Sequence, residues 1–197
     1  MRARAVVPQK TLSGAKSRLE GVLSAVERAE FSLRLLRTVC AALAAVDSVE
    51  SVVVMTPDAA VRERVGSWGI RSLVDPHPGL NGALAEIIRQ TPPGCAVLVV
   101  AADLPLLRPA DVAAILAACR PGALVLAPSK EGTGTNAVVV PPGMAFHPAY
   151  GTGSRAAHHR GARALGHDVV EVRRPGLAFD VDSEADLLAM RYWGTLA

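Results

Sequence analysis

Aromatic residues are scarce in this chain, at 4% of 197 positions. No dense basic stripe accompanies them, so the stacking platforms and cationic track of a nucleic-acid surface are both missing. Half of the residues are hydrophobic, yet no apolar run approaches the ~18 residues that span a bilayer. The amino-terminal MRARAVVPQK has two arginines but no apolar core or small-residue cleavage site, so it does not read as a signal peptide. Cysteine is sparse as well. Cys40, Cys95 and Cys119 are odd in number and far apart, the pattern of reduced core thiols and not of a disulfide or zinc framework. Together these absences describe a cytoplasmic chain without a membrane or nucleic-acid partner. Two fingerprints are also missing. The first strand is not followed by G-x-G-x-x-G, and no Walker A sequence occurs, so neither a dinucleotide fold nor a P-loop is indicated.

Lysine is the last rarity and the most informative. Of 21 basic residues only Lys10, Lys16 and Lys130 are lysine, and the first two share one short loop with Arg18. A compact ammonium is a common phosphate ligand, so this loop is a candidate phosphate site. The net charge of +3 is mild and adds little.

What the chain does have is Val97–Leu107, VLVVAADLPLL. A continuous apolar run bounded by breakers predicts a central parallel strand buried on both faces. Asp103 follows at its carboxyl end, where open α/β sheets bind ligands. The surrounding pattern alternates. Strands are expected at Ala3–Val7, Val49–Met55, Ile70–Val74, Ala123–Ala127, Asn136–Val140 and Asp168–Val172, with a short strand end at Phe179–Asp182. Helices are expected from the Ser24/Glu27 capping box to about Ala45, from Thr56-Pro57 to Gly66, around Leu84–Ile88, from Pro109 to Cys119, over Ser154–Leu165 and after Ser183. This alternation predicts a single α/β domain over residues 1–197, a mainly parallel sheet flanked by helices.

Asp180 and Asp182 are separated by one residue, which on a strand puts both carboxylates on one side. With Asp103 they could supply a magnesium site, because magnesium takes a few carboxylate oxygens together with substrate phosphates and water. Their alternative role is to cap the following helix. His147, His158 and His159 have no zinc spacing, and neighbouring histidines on a helix diverge, so they are assigned to a surface face. Lys130 and Glu131 read as solvated loop charges, Trp68 and Trp193 as core or interface residues, and Cys95 as core.

The segments AVVPQKTLSGAKSRL, HPGLNGAL, AADLPLL, GTGTNAVVV, YGTGSRAAH and DVDSEADL run in order through nearly the whole chain. As a set they resemble the phospholactate guanylyltransferase family, which includes the phosphoenolpyruvate guanylyltransferases of deazaflavin coenzyme (F-420) biosynthesis. The resemblance implies a GT-A-like, Rossmann-type nucleotidyltransferase fold. It implies transfer of GMP from GTP to phosphoenolpyruvate or 2-phospho-L-lactate, with pyrophosphate released. It also implies residue roles: Asp103, Asp180 and Asp182 for two magnesium ions, and Lys10, Lys16 and Arg18 for the triphosphate. Thr135, Gly151 and Ser154 would hold the phospho-acid, and Leu80 and Asn81 a loop near base and ribose. A homodimer and a downstream deazaflavin transferase are the further partners implied. Tyr150 departs from the family's frequent Phe, and Ser183 from its frequent Thr. The competing readings are a same-fold nucleotidyltransferase with another acceptor, molybdopterin or a sugar phosphate, and a non-catalytic nucleotide-binding module.

Overall fold

The order in which strands enter the sheet decides where the site lies. The structure, a computed structural model, describes residues 1–74 and 79–194, the side chains of 191–194 excepted. The turn-rich stretch at 75–78 and the surroundings of Trp193 lie outside the described residues. Strands β1 (Arg2–Pro8), β2 (Val49–Met55), β3 (Arg71–Leu73), β4 (Cys95–Val100), β5 (Ala123–Pro128), β6 (Thr135–Val140) and β7 (Asp168–Glu171) form one sheet in the order β3-β2-β1-β4-β6-β5-β7. The chain builds outward from β1 through β2 to β3, then returns to β1's other side with β4. That reversal opens a crevice at the carboxyl ends of β1 and β4. Pairing is parallel except at β6, which runs antiparallel to both β4 and β5. The inversion has a use: it places the first residues of β6, Thr135 and Asn136, at the edge where β4 ends.

The all-apolar β4 behaves as its composition dictates. Ala96, Leu98 and Val100 join one core, while Val97 and Val99 join the core on the opposite face. Helices α1 (Ala25–Ala44), α2 (Ala59–Ser67) and α4 (Pro109–Ala117) cover the first face; α3 (Leu80–Arg89) and α5 (Ser154–Ala164) cover the second. A third cluster, including Leu19, Phe31, Val181 and Leu187, seats the segment between α6 (Pro175–Ala178) and α7 (Glu184–Gly194) against α1. No described helix is long and apolar enough to cross a membrane.

The Ser24/Glu27 capping box forms as expected, with Ser24 N–H donating to Glu27 at 2.8 Å. Three local expectations are corrected. The cap of α2 is Asp58, not Thr56: its Oδ1 accepts from Ala60 N–H at 2.9 Å, and its Oδ2 accepts from Leu12 N–H at 2.8 Å. A carboxylate can serve the helix and the loop after β1 together, which one hydroxyl cannot. Phe179–Asp182 is irregular, because Pro175 opens the short helix α6 just before it. Among the cysteines only Cys40 is fully buried; Cys95 and Cys119 are half-buried, and all three are free.

Gly176, in α6, touches the most crowded backbone. An added Cβ would lie 2.1 Å from Asp111 Oδ2 and 2.6 Å from the Leu106 carbonyl. Asp111 is buried and held by Arg174 Nε at 2.6 Å, so it has little freedom to yield. Gly176→Ala is therefore expected to destabilise the fold by about 2–3 kcal/mol in urea unfolding; an unchanged midpoint would contradict this packing.

Candidate active site

Residues 9–19, which leave β1, fold into two short 3-10 turns, Leu12–Gly14 and Ser17–Leu19. Between them Lys16 adopts a left-handed backbone, with φ 50° and ψ 41°. A non-glycine residue held there costs about 1–2 kcal/mol and persists only where its surroundings over-determine it. Here they do. Lys16 Nζ donates to Asp103 Oδ2 at 2.6 Å and to Asp182 Oδ1 at 3.1 Å, with only 8% of its side chain exposed. Burial alone would lower the ammonium's pKa, but the two carboxylates outweigh it and hold it above the ordinary value. Three distant parts of the chain thus meet on one ammonium. A backbone bond from Val181 N–H to the Asp103 carbonyl, at 3.3 Å, fixes the same junction.

A cleft of about 760 Å³ opens over this triad. Lys10, Lys16 and Arg18 line one wall, Asp103 and Asp182 the floor, and Leu80, Thr135 and Tyr150 the far side. Arg18 is exposed, its guanidinium 3.8 Å from Asp182. A smaller hollow, about 520 Å³, lies at the amino-terminal end of β4 beside Cys95 and is mainly apolar. The first hollow gathers two lysines, Arg18 and both aspartates, whereas Arg89 is the charged residue along the second.

The structure redistributes some assigned residues. Asp180 and Asp182 do not share a strand face. Asp180 is nearly buried, accepts from Asn136 Nδ2 at 3.2 Å and lies 3.7 Å from Lys130. Its pKa is raised by burial, countered by the Asn136 bond and the Lys130 charge, and pushed further up by Asp103. Asp182 instead faces Lys16 and the cleft. Leu80 and Asn81 are not in a loop but open α3. Asn81 turns from the cleft and grips the backbone of Tyr150, accepting from its N–H at 2.8 Å and donating to its carbonyl at 3.1 Å. Gly151 and Ser154 follow directly but do not line the cleft. Ser154 is the first residue of α5 after the cap Gly153, and its amide donates to the Gly151 carbonyl. Gly151 has φ 136°, which only glycine adopts easily.

Three contributors were not anticipated. Lys130 is no solvated loop charge: its ammonium donates to the Asp180 carbonyl at 2.7 Å, pairs with Asp186 at 3.2 Å, and lies 5.3 Å from the Phe179 ring centre. Its being one of three lysines was the available signal. His158 is buried, 1% exposed, not on a surface face. Its Nδ1 lies 3.1 Å from Thr135 Oγ1, and its Nε2 accepts from Ala149 N–H at 3.0 Å. His159 does point elsewhere, pairing with Glu171 at 2.8 Å. Asn136, inside the quoted GTGTN segment, holds Asp180 in place.

Among the described residues no three or more His, Cys, Asp or Glu side chains form a metal cluster. Two carboxylates within reach of one ammonium are instead a donor set for a hard cation that keeps water and substrate oxygens, as magnesium does.

A cation-rich loop facing an acidic pair at the switch point of an α/β sheet is a layout that suits a polyphosphate and its cation, and solved structures share the fold. The chain superposes with TM-score 0.72 on a protein from Desulfovibrio desulfuricans G20 provisionally assigned as a nucleotide-diphospho-sugar transferase (15% identity, 95% and 85% of the two chains). It superposes at 0.63 on CMP:2-keto-3-deoxy-manno-octonic acid synthetase in complex with CTP (17% identity, 100% and 99%). At these identities the likeness establishes the fold. Residues 3–195 match the model of the family described as guanylyl transferase CofC like, and the chain belongs to that family. It is 40% identical over 187 residues to the phosphoenolpyruvate guanylyltransferase of Sphaerobacter thermophilus, covering 93% of this chain and 89% of that one. It is 41% identical over 193 residues to the enzyme of that name from Rubrobacter xylanophilus, covering 96% and 94%.

Burial holds the His158 pKa down to about 4, with the neighbouring His159 adding to the effect. A base whose folded pKa is depressed contributes stability that is complete above the ordinary value, near 6.5, and is lost as pH falls towards 4. The unfolding free energy of the wild type relative to His158→Phe is expected to fall by on the order of 3 kcal/mol between pH 7 and pH 4. A pH-independent difference would show that His158 is not buried in neutral form.

Proposed function

We propose that this chain transfers GMP from GTP to phosphoenolpyruvate, or to 2-phospho-L-lactate, and releases pyrophosphate, as a step in coenzyme F-420 biosynthesis. The observation that carries this reading is the Lys16–Asp103–Asp182 junction under the cleft, in a chain about 40% identical to proteins named for that reaction. An oxygen of the acceptor phosphate attacks the α-phosphorus of GTP. A new P–O bond forms as the bond to the bridging oxygen breaks, and pyrophosphate leaves with that electron pair. The acceptor phosphate is ionised near neutral pH, so no side chain need remove a proton. Among the described residues that line the cleft there is no imidazole.

What the protein supplies is position and charge. Lys10, Lys16 and Arg18 surround the triphosphate and steady the departing pyrophosphate. Thr135 lines the cleft and offers its hydroxyl to the phospho-acid, while Gly151 and Ser154 support the wall behind Tyr150. Asp103 and Asp182 would hold magnesium, with Asp180 behind them fixed by Asn136 and Lys130. Magnesium held there would supply positive charge that offsets the repulsion between two polyanions. Asn81 acts by holding Tyr150 and not by touching the nucleotide. A homodimer, a cytoplasmic setting and hand-off to a deazaflavin transferase belong to the same reading.

Pyrophosphate release should be followed with GTP, magnesium and one of phosphoenolpyruvate, 2-phospho-L-lactate or 3-phosphoglycerate, with the deazaflavin transferase and its acceptor drawing off product. Release with one of the first two is expected. Asp103→Asn should lower kcat at least ~1,000-fold while the melting temperature shifts by only a few degrees. Release with none of the acids, despite GTP binding, would redirect the assignment to another acceptor or to a binding module.

A further inference from the structure

His158 is buried beside the cleft, and the phosphoryl-transfer chemistry gives it no task. It is nested between Phe146 and Tyr150, with ring centres 5.4 and 4.9 Å away, and both of its nitrogens are engaged. The Nε2 partner is the Ala149 amide, at 3.0 Å. A backbone amide only donates, so Nε2 must be the bare nitrogen and the ring proton must sit on Nδ1. The Nδ1 partner is the Thr135 hydroxyl, at 3.1 Å. Its oxygen therefore accepts from the imidazole. The opposite arrangement, hydroxyl donating to Nδ1, would leave an Nε2 proton pointing at an amide proton. Thr135's own proton is consequently not used on His158, and Thr135 lines the cleft.

We infer that His158 is a positioning residue that, as the Nδ1–H tautomer, turns the Thr135 hydroxyl into a dedicated hydrogen-bond donor towards an anionic oxygen of the acceptor. The second nitrogen adds to the effect. Ala149 is held from α5 by His158, and Tyr150 is held from α3 by Asn81 through both its N–H and its carbonyl. The backbone approaching Gly151 is thereby clamped from two helices, which fixes Tyr150 where it lines the cleft with Thr135. A hydroxyl that could choose between donating and accepting would lose part of its preference for an anion; one already supplied with a donor cannot. This discriminates for a charged acceptor, not for the nucleotide, and it rests on the functional reading above.

Two measurements test it. Long-range proton–nitrogen NMR spectra of the free protein report the His158 tautomer: Nδ1 protonated and Nε2 bare is expected, and Nε2 protonated overturns the inference. Steady-state kinetics then compare Thr135→Val, Thr135→Ser, His158→Phe and the double variant Thr135→Val/His158→Phe. Phe fills the aromatic nest without either nitrogen. His158→Phe and Thr135→Val should each raise the KM for the phospho-acid about 10- to 100-fold, leaving the KM for GTP within ~3-fold. The double variant should be no worse than the poorer single one within ~3-fold, and Thr135→Ser should keep most of the affinity. Multiplicative losses, equal losses for both substrates, or an unchanged acceptor KM in His158→Phe would overturn it. If His158→Phe does not fold, the tautomer and Thr135→Val still decide. A wild-type enzyme that turns over no phospho-acid would instead refute the functional reading, while the spectrum, recorded without substrate, judges the tautomer by itself.

Discussion

One ammonium holds the site together. Lys16 comes from the loop after β1, Asp103 from the end of β4 and Asp182 from the segment before α7, and both carboxylates lie within 3.1 Å of its ammonium. Asp103 and Asp182 would repel each other without it, and Lys16 would have no reason to keep a left-handed backbone. Because Lys16 is nearly buried and the carboxylates are only partly so, the attraction is strong enough to set loop geometry yet remains open to solvent from the cleft. The same charges that stabilise the protein among themselves are those that polyphosphate would claim. Binding of a polyphosphate there would exchange partners at preformed positions instead of assembling a site.

The supports around that junction follow from the same logic. Asp58 caps α2 while gripping the cation-rich loop at Leu12. Lys130 anchors Asp180 and Asp186 on the other side, and Asn136 holds Asp180 through the inverted strand β6. Glu171, pushed down to about 2 chiefly by its hydrogen bond from Arg155, ties β7 to α5, and the same arginine donates to the Gly132 carbonyl in the loop before β6. Each support reaches across elements distant in sequence, so the cleft depends on the complete sheet.

How much of this was legible in the sequence depended on the range of the interaction. The VLVV run announced its strand, because burial on both faces leaves no room for polar residues, and it delivered Asp103 to the sheet edge. The Ser24/Glu27 box announced its helix, because capping is local. Antiparallel β6 was not legible: strand direction is a property of the pairing partner, and TNAVVV reads the same either way. The idea that Asp180 and Asp182 face one side failed because it assumed a strand that Pro175 and α6 displace. His158 was misjudged because helical spacing says which residues share a face, not what that face packs against. The pairing of Lys16 with two aspartates, 87 and 166 positions away, could not be seen in any window of sequence. Family resemblance brought these residues into one set; only the fold shows that they touch.

The most direct measurement is a crystal structure with a non-transferable GTP analogue, magnesium and phosphoenolpyruvate. The account predicts the triphosphate along Lys10, Lys16 and Arg18, the cation between the phosphates and the carboxylates of Asp103 and Asp182, and the Lys16 ammonium turned from Asp103 to a phosphate oxygen. The phospho-acid should lie within hydrogen-bond reach of Thr135. Nucleotide in the apolar hollow beside Cys95, or a cation held without Asp103 or Asp182, would contradict it.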